Sequence, residues 1–387
     1  MPMIAYSIIK RALVRIAVNA RVLQKGRMEG VARYIYEVTR RMVANHPEHE
    51  FIFLFDRPFD PEFVFADNVT ALEIGVPARL PILFKLWFEY SVHRALKKYK
   101  ADVFFSGDAY LSLRSNIPSV MVSHDLAYIH YPDHLPGHHL RYYKKFFPLF
   151  HKRANHIIAV SEATKADIIE QFGISASKIS IGHNASPKGF APVVKSTKIE
   201  IRNQYSEGYP YFFYLGSLHP RKNIVKLIEA FSSYKATHNT EHHLVIVGRP
   251  AWNFHQIQKA YNFSPFKHEI HMYHDVKDEA KEMLASAISL IYISTFEGFG
   301  IPILEAFSSG VPVITSNTSS MPEVAGDAAL VIDPNDTNEI VEAMHSIVSN
   351  ESLREQLISK GFERTNDFDW DRTAEIVYDC LMKVAKV

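Results

Sequence analysis

The sequence predicts an α/β protein built from two doubly wound parallel-sheet domains that face each other across a cleft. Three observations predict it. The chain is 387 residues long, more than one ordinary core organises, which points to two domains of about 150–200 residues each. Short β-rich runs alternate with longer helical ones in two separate series, the pattern of parallel strands joined by crossover helices. Between the series, around 178–200, Gly, Asn and Pro cluster in KISIGHNASPKGFAPVVKST, which marks an interdomain linker.

The first series reads RIAVN (15–19), a helix through Val31 to Met42, FIFLF (51–55), DVFF (102–105), SVMVS (119–123) and HIIAV (156–160). The second reads YFFYLG (211–216), LVIVG (244–248), IHMYH (270–274), SLIYIST (289–295), VPVIT (311–315) and ALVI (329–332), with helical segments between. After Trp370, the segment RTAEIVYDCLMKV places Ala374, Ile376, Val377, Cys380, Leu381 and Val384 on one apolar helical stripe. Two Rossmann-like units of this kind place a cleft between the carboxyl ends of both sheets.

Composition narrows the function classes. The 43 basic and 42 acidic residues nearly cancel, so there is no chain-wide drive toward nucleic acid. Cys380 is the one cysteine, which excludes an internal disulfide framework and a multi-cysteine zinc site. The N-terminal run MPMIAYSIIK lacks a small-residue cleavage pattern, and no stretch reaches about 18 uninterrupted apolar residues. A cytoplasmic protein is expected.

The most informative segment is STFEGFGIPILEAFSSGVPVIT (294–315). A strand ends near Glu297, the chain turns through Gly298-Phe299-Gly300, and Pro302 stands where a helix begins, with Gly310 at its end. Such a turn lets backbone approach a ligand, and the free N–H groups of a helix start favour an anion such as phosphate. Glu297 before the turn and Glu305 one helical turn on bracket that site, suited to accept hydrogen bonds from sugar and ribose hydroxyls. Read from spacing alone, Glu297 is equally a loop acid and Glu305 an exposed helix residue. In LGSLHPRKNI (215–224), also at a strand's carboxyl end, Arg221 and Lys222 suit a diphosphate leaving group.

Taken together, RIAVNARVL, MEGVARY (28–34), VSHDLAYIHYP (122–132), ANHIIAVSEATKADI (154–168), LGSLHPRKNI, EGFGIPILE and SNTSSMPEVAGDAALVIDP (316–334) resemble the retaining nucleotide-sugar glycosyltransferases of the GT-B fold, a group that includes bacterial mannosyl- and glucosyltransferases and sucrose synthase. The resemblance runs over nearly the whole chain. It implies a C-terminal domain at 189–369 that binds the donor, and an N-terminal acceptor domain at 1–188 joined by a terminal helix, 370–387, that crosses back. It implies that Glu297 contacts the donor sugar, that Gly298, Phe299 and Gly300 cradle it by their backbone, and that Glu305 binds the ribose. Gly216, Ser217, Ile301, Ile303 and Leu304 complete the donor-binding set, and Arg221 and Lys222 hold the diphosphate. His124 reaches the donor sugar from the N-terminal domain, and the Gly30 loop closes near the phosphates. Two positions depart from the family pattern: Ser217 stands where an arginine is common, so Arg221 is expected to compensate, and Ala32 replaces a second glycine.

The resemblance further implies retention of anomeric configuration, with catalysis by positioning and charge stabilisation and with neither metal nor cofactor. The expected substrates are a nucleotide-diphosphate sugar, with GDP-mannose the leading donor, and a glycan or lipid-linked glycan acceptor. A nucleotide-sugar epimerase and a non-catalytic sugar-nucleotide-binding subunit are the rival readings. Gly298-Phe299-Gly300 is not a dinucleotide fingerprint, because Ile303 occupies the third glycine position. Asp367, Asp369 and Asp371 read as the cap and first-turn acids of the terminal helix, and His268, His271 and His274 fall on opposite faces of a strand. Two basic-aromatic stretches, 84–100 and 141–153, read either as amphipathic helices or as a surface for peripheral contact with anionic membrane.

Overall fold

The structure is a computed structural model that describes residues 13–385 apart from 27, 29, 79, 187, 277 and 278. The N-terminal run MPMIAYSIIK, and Glu29 of the MEGVARY segment, therefore lie outside the described residues. Seven parallel strands form the first sheet: β1 (Arg15–Asn19), β2 (Glu50–Phe55), β3 (Val69–Glu73), β4 (Val103–Ser106), β5 (Ser119–Ser123), β6 (His156–Ala159) and β7 (Ile179–Ile181), in the order β3-β2-β1-β4-β5-β6-β7. Six more form the second: β8 (Tyr211–Leu215), β9 (His243–Val247), β10 (Ile270–Tyr273), β11 (Ser289–Tyr292), β12 (Val313–Ser316) and β13 (Leu330–Ile332), in the order β10-β9-β8-β11-β12-β13. Continuous apolar runs such as FIFLF and HLVIV are buried along their whole length, as a parallel sheet covered on both faces requires.

Two strands lie outside the runs read from sequence. β3 is an edge strand with an exposed, half-polar sequence, VTALE, so it carries no apolar run. β7 is three residues long and occupies the start of the segment read as linker, closing the first sheet before the chain crosses over.

The helix Trp370–Ala385 packs on the helix Val31–Asn45 and on β4, β5 and β6. Buried Tyr34 meets Trp370 edge-on at 5.6 Å, Arg41 pairs with Asp371 at 2.5 Å, and Thr373 donates to the carbonyl of His183 at 2.7 Å. The end of the chain thereby clasps the first domain beside the crossover segment. Asp369 caps this helix by accepting from the Arg372 N–H at 2.8 Å and Asp371 lies in its first turn, as their spacing predicted, whereas Asp367 lies before the cap and pairs with Arg364 at 2.6 Å.

The stretch 141–153 lies in the helix Gly137–Arg153, which turns Tyr142, Phe147 and Phe150 into the core. Those rings are unavailable to a lipid interface, because the helix buries them against the sheet. Arg153 is likewise committed, donating to the carbonyls of Ser115 and Ile117. The exposed face carries Arg141, Lys144, Lys145, Leu149 and Lys152. In 84–100, Trp87, Phe88 and Val92 are buried in the same core. No helix among the described residues is long and apolar enough to cross a membrane.

Candidate functional site

Strand order decides where the site forms. In the second sheet the direction of strand addition reverses between β8 and β11, and a crevice opens at the carboxyl ends of such a pair. The loops that follow β8 and β11 therefore lie side by side, tied by the Thr295 N–H donating to the Arg221 carbonyl at 2.8 Å. Arg221 and Lys222 occupy one tight turn, Pro220–Lys222, which ends at Asn223 in the left-handed region with φ 62°.

Glu297, at the end of the other loop, takes both cations. Lys222 Nζ lies 2.5 Å from its Oε1 and Arg221 Nη1 lies 2.6 Å from its Oε2. Lys222 also donates to the Tyr292 hydroxyl at 2.8 Å, and Arg221 to the Phe296 carbonyl at 2.9 Å. Glu297 and Lys222 are each only 7% exposed. Burial pulls the Glu297 carboxyl upward, but the charges and hydrogen bonds of Lys222 and Arg221 outweigh it and hold it at about 2. Burial sets the Lys222 amine below its ordinary value despite Glu297. Arg221 is also opposed by burial, yet Glu297 and Asp125 raise it. The site is an ionised, buried triad with a net positive charge.

The next three residues are buried but leave backbone donors unpaired. The N–H groups of Gly298, Phe299 and Gly300 donate to no protein group among the described residues, and the helix Ile301–Ser308 starts immediately after, with Pro302 in its first turn. Gly300 has φ 110°, a conformation that strains any residue with a Cβ. At Gly298 a Cβ would stand 1.7 Å from the His124 carbonyl oxygen, so the two domains meet there only over glycine. The side chains of Phe299, Ile303 and Leu304 point into the core. Any contact they make with a donor is through backbone, because their sequence positions face the sheet. Glu305 is partly exposed and borders a cavity of about 370 Å³ shared with Gly30, Gly216, Ser217 and Ile301. Burial pushes its carboxyl up to about 7, with Arg33 and Lys281 opposing.

The N-terminal domain contributes the other wall. His124 follows β5 and holds the Gly107 carbonyl through Nε2 at 2.7 Å. A carbonyl only accepts, so Nε2 carries the proton and Nδ1 remains as an acceptor. Burial keeps the ring below its ordinary pKa, outweighing the Gly107 bond and the charges of Asp125 and Asp108. His124, Asp108, Tyr110, His134, Ser217 and Arg221 line a cavity of about 380 Å³ between the domains. Ser217 borders both cavities.

Residues 196–364 match the family Glycosyl transferases group 1, and residues 28–185 match Glycosyltransferase Family 4, so the two families account for most of the chain. The chain is 28% identical over 356 residues to the Escherichia coli O-antigen chain mannosyltransferase B, covering 89% of this chain and 93% of that protein. It is 27% identical over 259 residues to the O-antigen chain mannosyltransferase RfbU of Salmonella typhimurium, covering 67% of each. Among solved structures, a glycosyltransferase from Rickettsia africae superposes with TM-score 0.74 at 15% identity over 97% of this chain and all of that one. WaaG, a glycosyltransferase involved in lipopolysaccharide biosynthesis, superposes with TM-score 0.70 at 16% identity over 95% and 99%. The chain is a GT-B glycosyltransferase.

In this glycosyltransferase, cations, free N–H groups and a helix start converge at one switch point, the equipment for stabilising a departing anion. The opposite wall supplies Asp108, gripped by Arg21 Nη2 at 2.8 Å and by Asn19 Nδ2 at 2.7 Å. Sequence reading assigned no role to Asp108, Tyr292, Ser161, Thr164 or Glu323. Ser161 carried a signal, since a serine directly after a β-run and before a helical segment has the form of a helix N-cap; the others become visible only through tertiary contact.

Proposed function

We propose that the chain is a retaining, metal-independent mannosyltransferase that moves mannose from GDP-mannose to a lipid-linked glycan acceptor in O-antigen or related cell-surface polysaccharide synthesis. The similarity to the two O-antigen chain mannosyltransferases supports the sugar and the pathway class. One observation carries the chemistry: Arg221, paired with Lys222 on Glu297 at the β8/β11 switch point just before the free N–H groups of 298–300, lines the cavity between the domains together with His124.

In this reading the base and ribose occupy the cavity beside Glu305, and the diphosphate lies against the loops after β8 and β11. The acceptor enters the cavity lined by Asp108 and His124. The acceptor hydroxyl attacks from the leaving-group side and its proton passes to the departing phosphate. Catalysis then rests on positioning and on stabilising diphosphate charge. His124 Nδ1 accepts a hydrogen bond from a donor-sugar hydroxyl. The exposed basic face of Gly137–Arg153 holds the protein peripherally at an anionic membrane surface, where the lipid-linked acceptor resides.

The test incubates purified protein with GDP-mannose, UDP-glucose, UDP-galactose or dTDP-rhamnose and a lipid-linked oligosaccharide, with and without excess EDTA. Mannose transfer from GDP-mannose that survives chelation is expected. Donor conversion without acceptor would establish an epimerase instead, and loss on chelation restored by Mg²⁺ or Mn²⁺ would overturn metal independence.

A further inference from the structure

Across the cleft from the donor loop, the helix Glu162–Phe172 of the N-terminal domain begins with two hydroxyls that reach the second domain. Ser161 Oγ donates to the Gly298 carbonyl at 2.7 Å and Thr164 Oγ1 donates to the same oxygen at 3.2 Å. Ser161 is fully buried and Thr164 is 4% exposed. The Ser161 oxygen also accepts from the Thr164 N–H at 3.0 Å, capping the helix. Glu323, from the C-terminal domain, holds the same helix start in place. Its carboxylate accepts from the Glu162 N–H at 2.9 Å, the Ala163 N–H at 3.2 Å and His183 Nε2 at 3.0 Å.

We infer that Ser161 and Thr164 are positioning residues of the transfer reaction, acting through the Gly298 peptide. The peptide unit is planar and trans, so its carbonyl and the following N–H point in opposite directions. Two donors on the Gly298 oxygen therefore also set the direction of the Phe299 N–H, one of the free donors beside the Glu297 triad. Its own domain holds the loop on either side of this oxygen, the Ser320 hydroxyl also reaching the Phe299 carbonyl at 2.7 Å. Neighbouring Glu297 is anchored on its own side, with its N–H donating to Ser319 Oγ and its carbonyl accepting from Ser320 Oγ at 3.0 Å; the Gly298 oxygen is held by the opposite domain. The Gly298 peptide thus takes its final orientation from the contact between the two domains, and the hydroxyl pair couples that contact to the site.

This inference rests on the transferase reading above. Thr164→Val removes one hydroxyl while leaving the Ser161 cap, and Thr164→Ser restores it. With the parent active, Thr164→Val is expected to lower kcat about tenfold, the scale of one lost preorganised hydrogen bond. GDP binding by calorimetry and the melting temperature stay near parent values, because the nucleotide is held beside Glu305 and the helix cap is intact. Thr164→Ser recovers most of kcat, and Ser161→Ala combined with Thr164→Val falls further than either alone. Parent-like kcat in Thr164→Val, or Thr164→Ser as slow as Thr164→Val, overturns the inference. A parent protein that transfers no sugar overturns the proposed function on which it rests.

Discussion

Replacing Glu297 by Gln keeps the shape of the side chain and removes its charge, which isolates the value of the buried triad. The parent carboxyl is held at about 2 against an ordinary 4.5, which corresponds to roughly 3 kcal/mol of stability at neutral pH. The sign follows from the depressed value. As pH falls the unfolded carboxyl takes its proton first, so this stabilisation is complete above about pH 4.5 and is lost as pH falls toward 2. Removing one partner of a buried ion pair costs about 3–5 kcal/mol by another route, because the remaining charge stays desolvated. Lys222 would be that charge, left with the Tyr292 hydroxyl and a neutral amide oxygen as acceptors. Its amine, already below its ordinary value from burial, falls further without Glu297. Where that amine is neutral in the fold and still charged in the unfolded chain, the unfolded chain binds more protons, so the variant gains stability with rising pH below the ordinary lysine value. Urea unfolding followed by circular dichroism at pH 6, 7.5 and 9 reads this out. The expected result is a loss of about 3 kcal/mol near neutrality that narrows at pH 9. A gap below about 1 kcal/mol, or one that is the same at all three pH values, would refute the argument, since both belong to a solvated pair.

Three further outcomes are expected. Arg221→Ala should lower turnover by about 10²–10³, the scale for losing one electrostatic donor to a developing anion; steady-state kinetics showing near-normal kcat would remove Arg221 from leaving-group stabilisation. Because the Glu305 carboxyl is raised to about 7, it accepts ribose hydroxyl protons as a carboxylate only above that value. GDP affinity measured by calorimetry should rise between about pH 6 and 8, and Glu305→Gln should flatten that dependence. The protein should sediment with anionic liposomes at low ionic strength and be released by salt, with each surface cation worth about 1 kcal/mol. Unchanged sedimentation and unchanged activity on a lipid-linked acceptor in Lys144→Glu/Lys145→Glu would leave that helix an ordinary solvated face.

What the sequence by itself determined was local: the placement of most strands, the glycine turn, and the residue types grouped on each loop. Apolar runs such as FIFLF and YFFYL announce buried parallel strands wherever they occur, because little else hides five consecutive apolar side chains at that length. The edge strand β3 and the three-residue β7 escaped, since one is half exposed and the other too short to form a pattern. The motifs also named Glu297, Arg221 and Lys222 while assigning them separate duties toward a donor. That both loops converge at one sheet's carboxyl end was legible; only the strand order β8-β11 and the packing around it turned three separate charges into one buried triad in which each sets the ionisation of the others. The aromatic stretch 141–153 was compatible with a lipid interface until packing turned Tyr142, Phe147 and Phe150 inward. The hydroxyls of Ser161 and Thr164 reach the Gly298 carbonyl across more than 130 positions of chain. No local pattern encodes such a contact, because it exists only where two independently built domains press a helix start against a glycine that has no side chain to keep them apart.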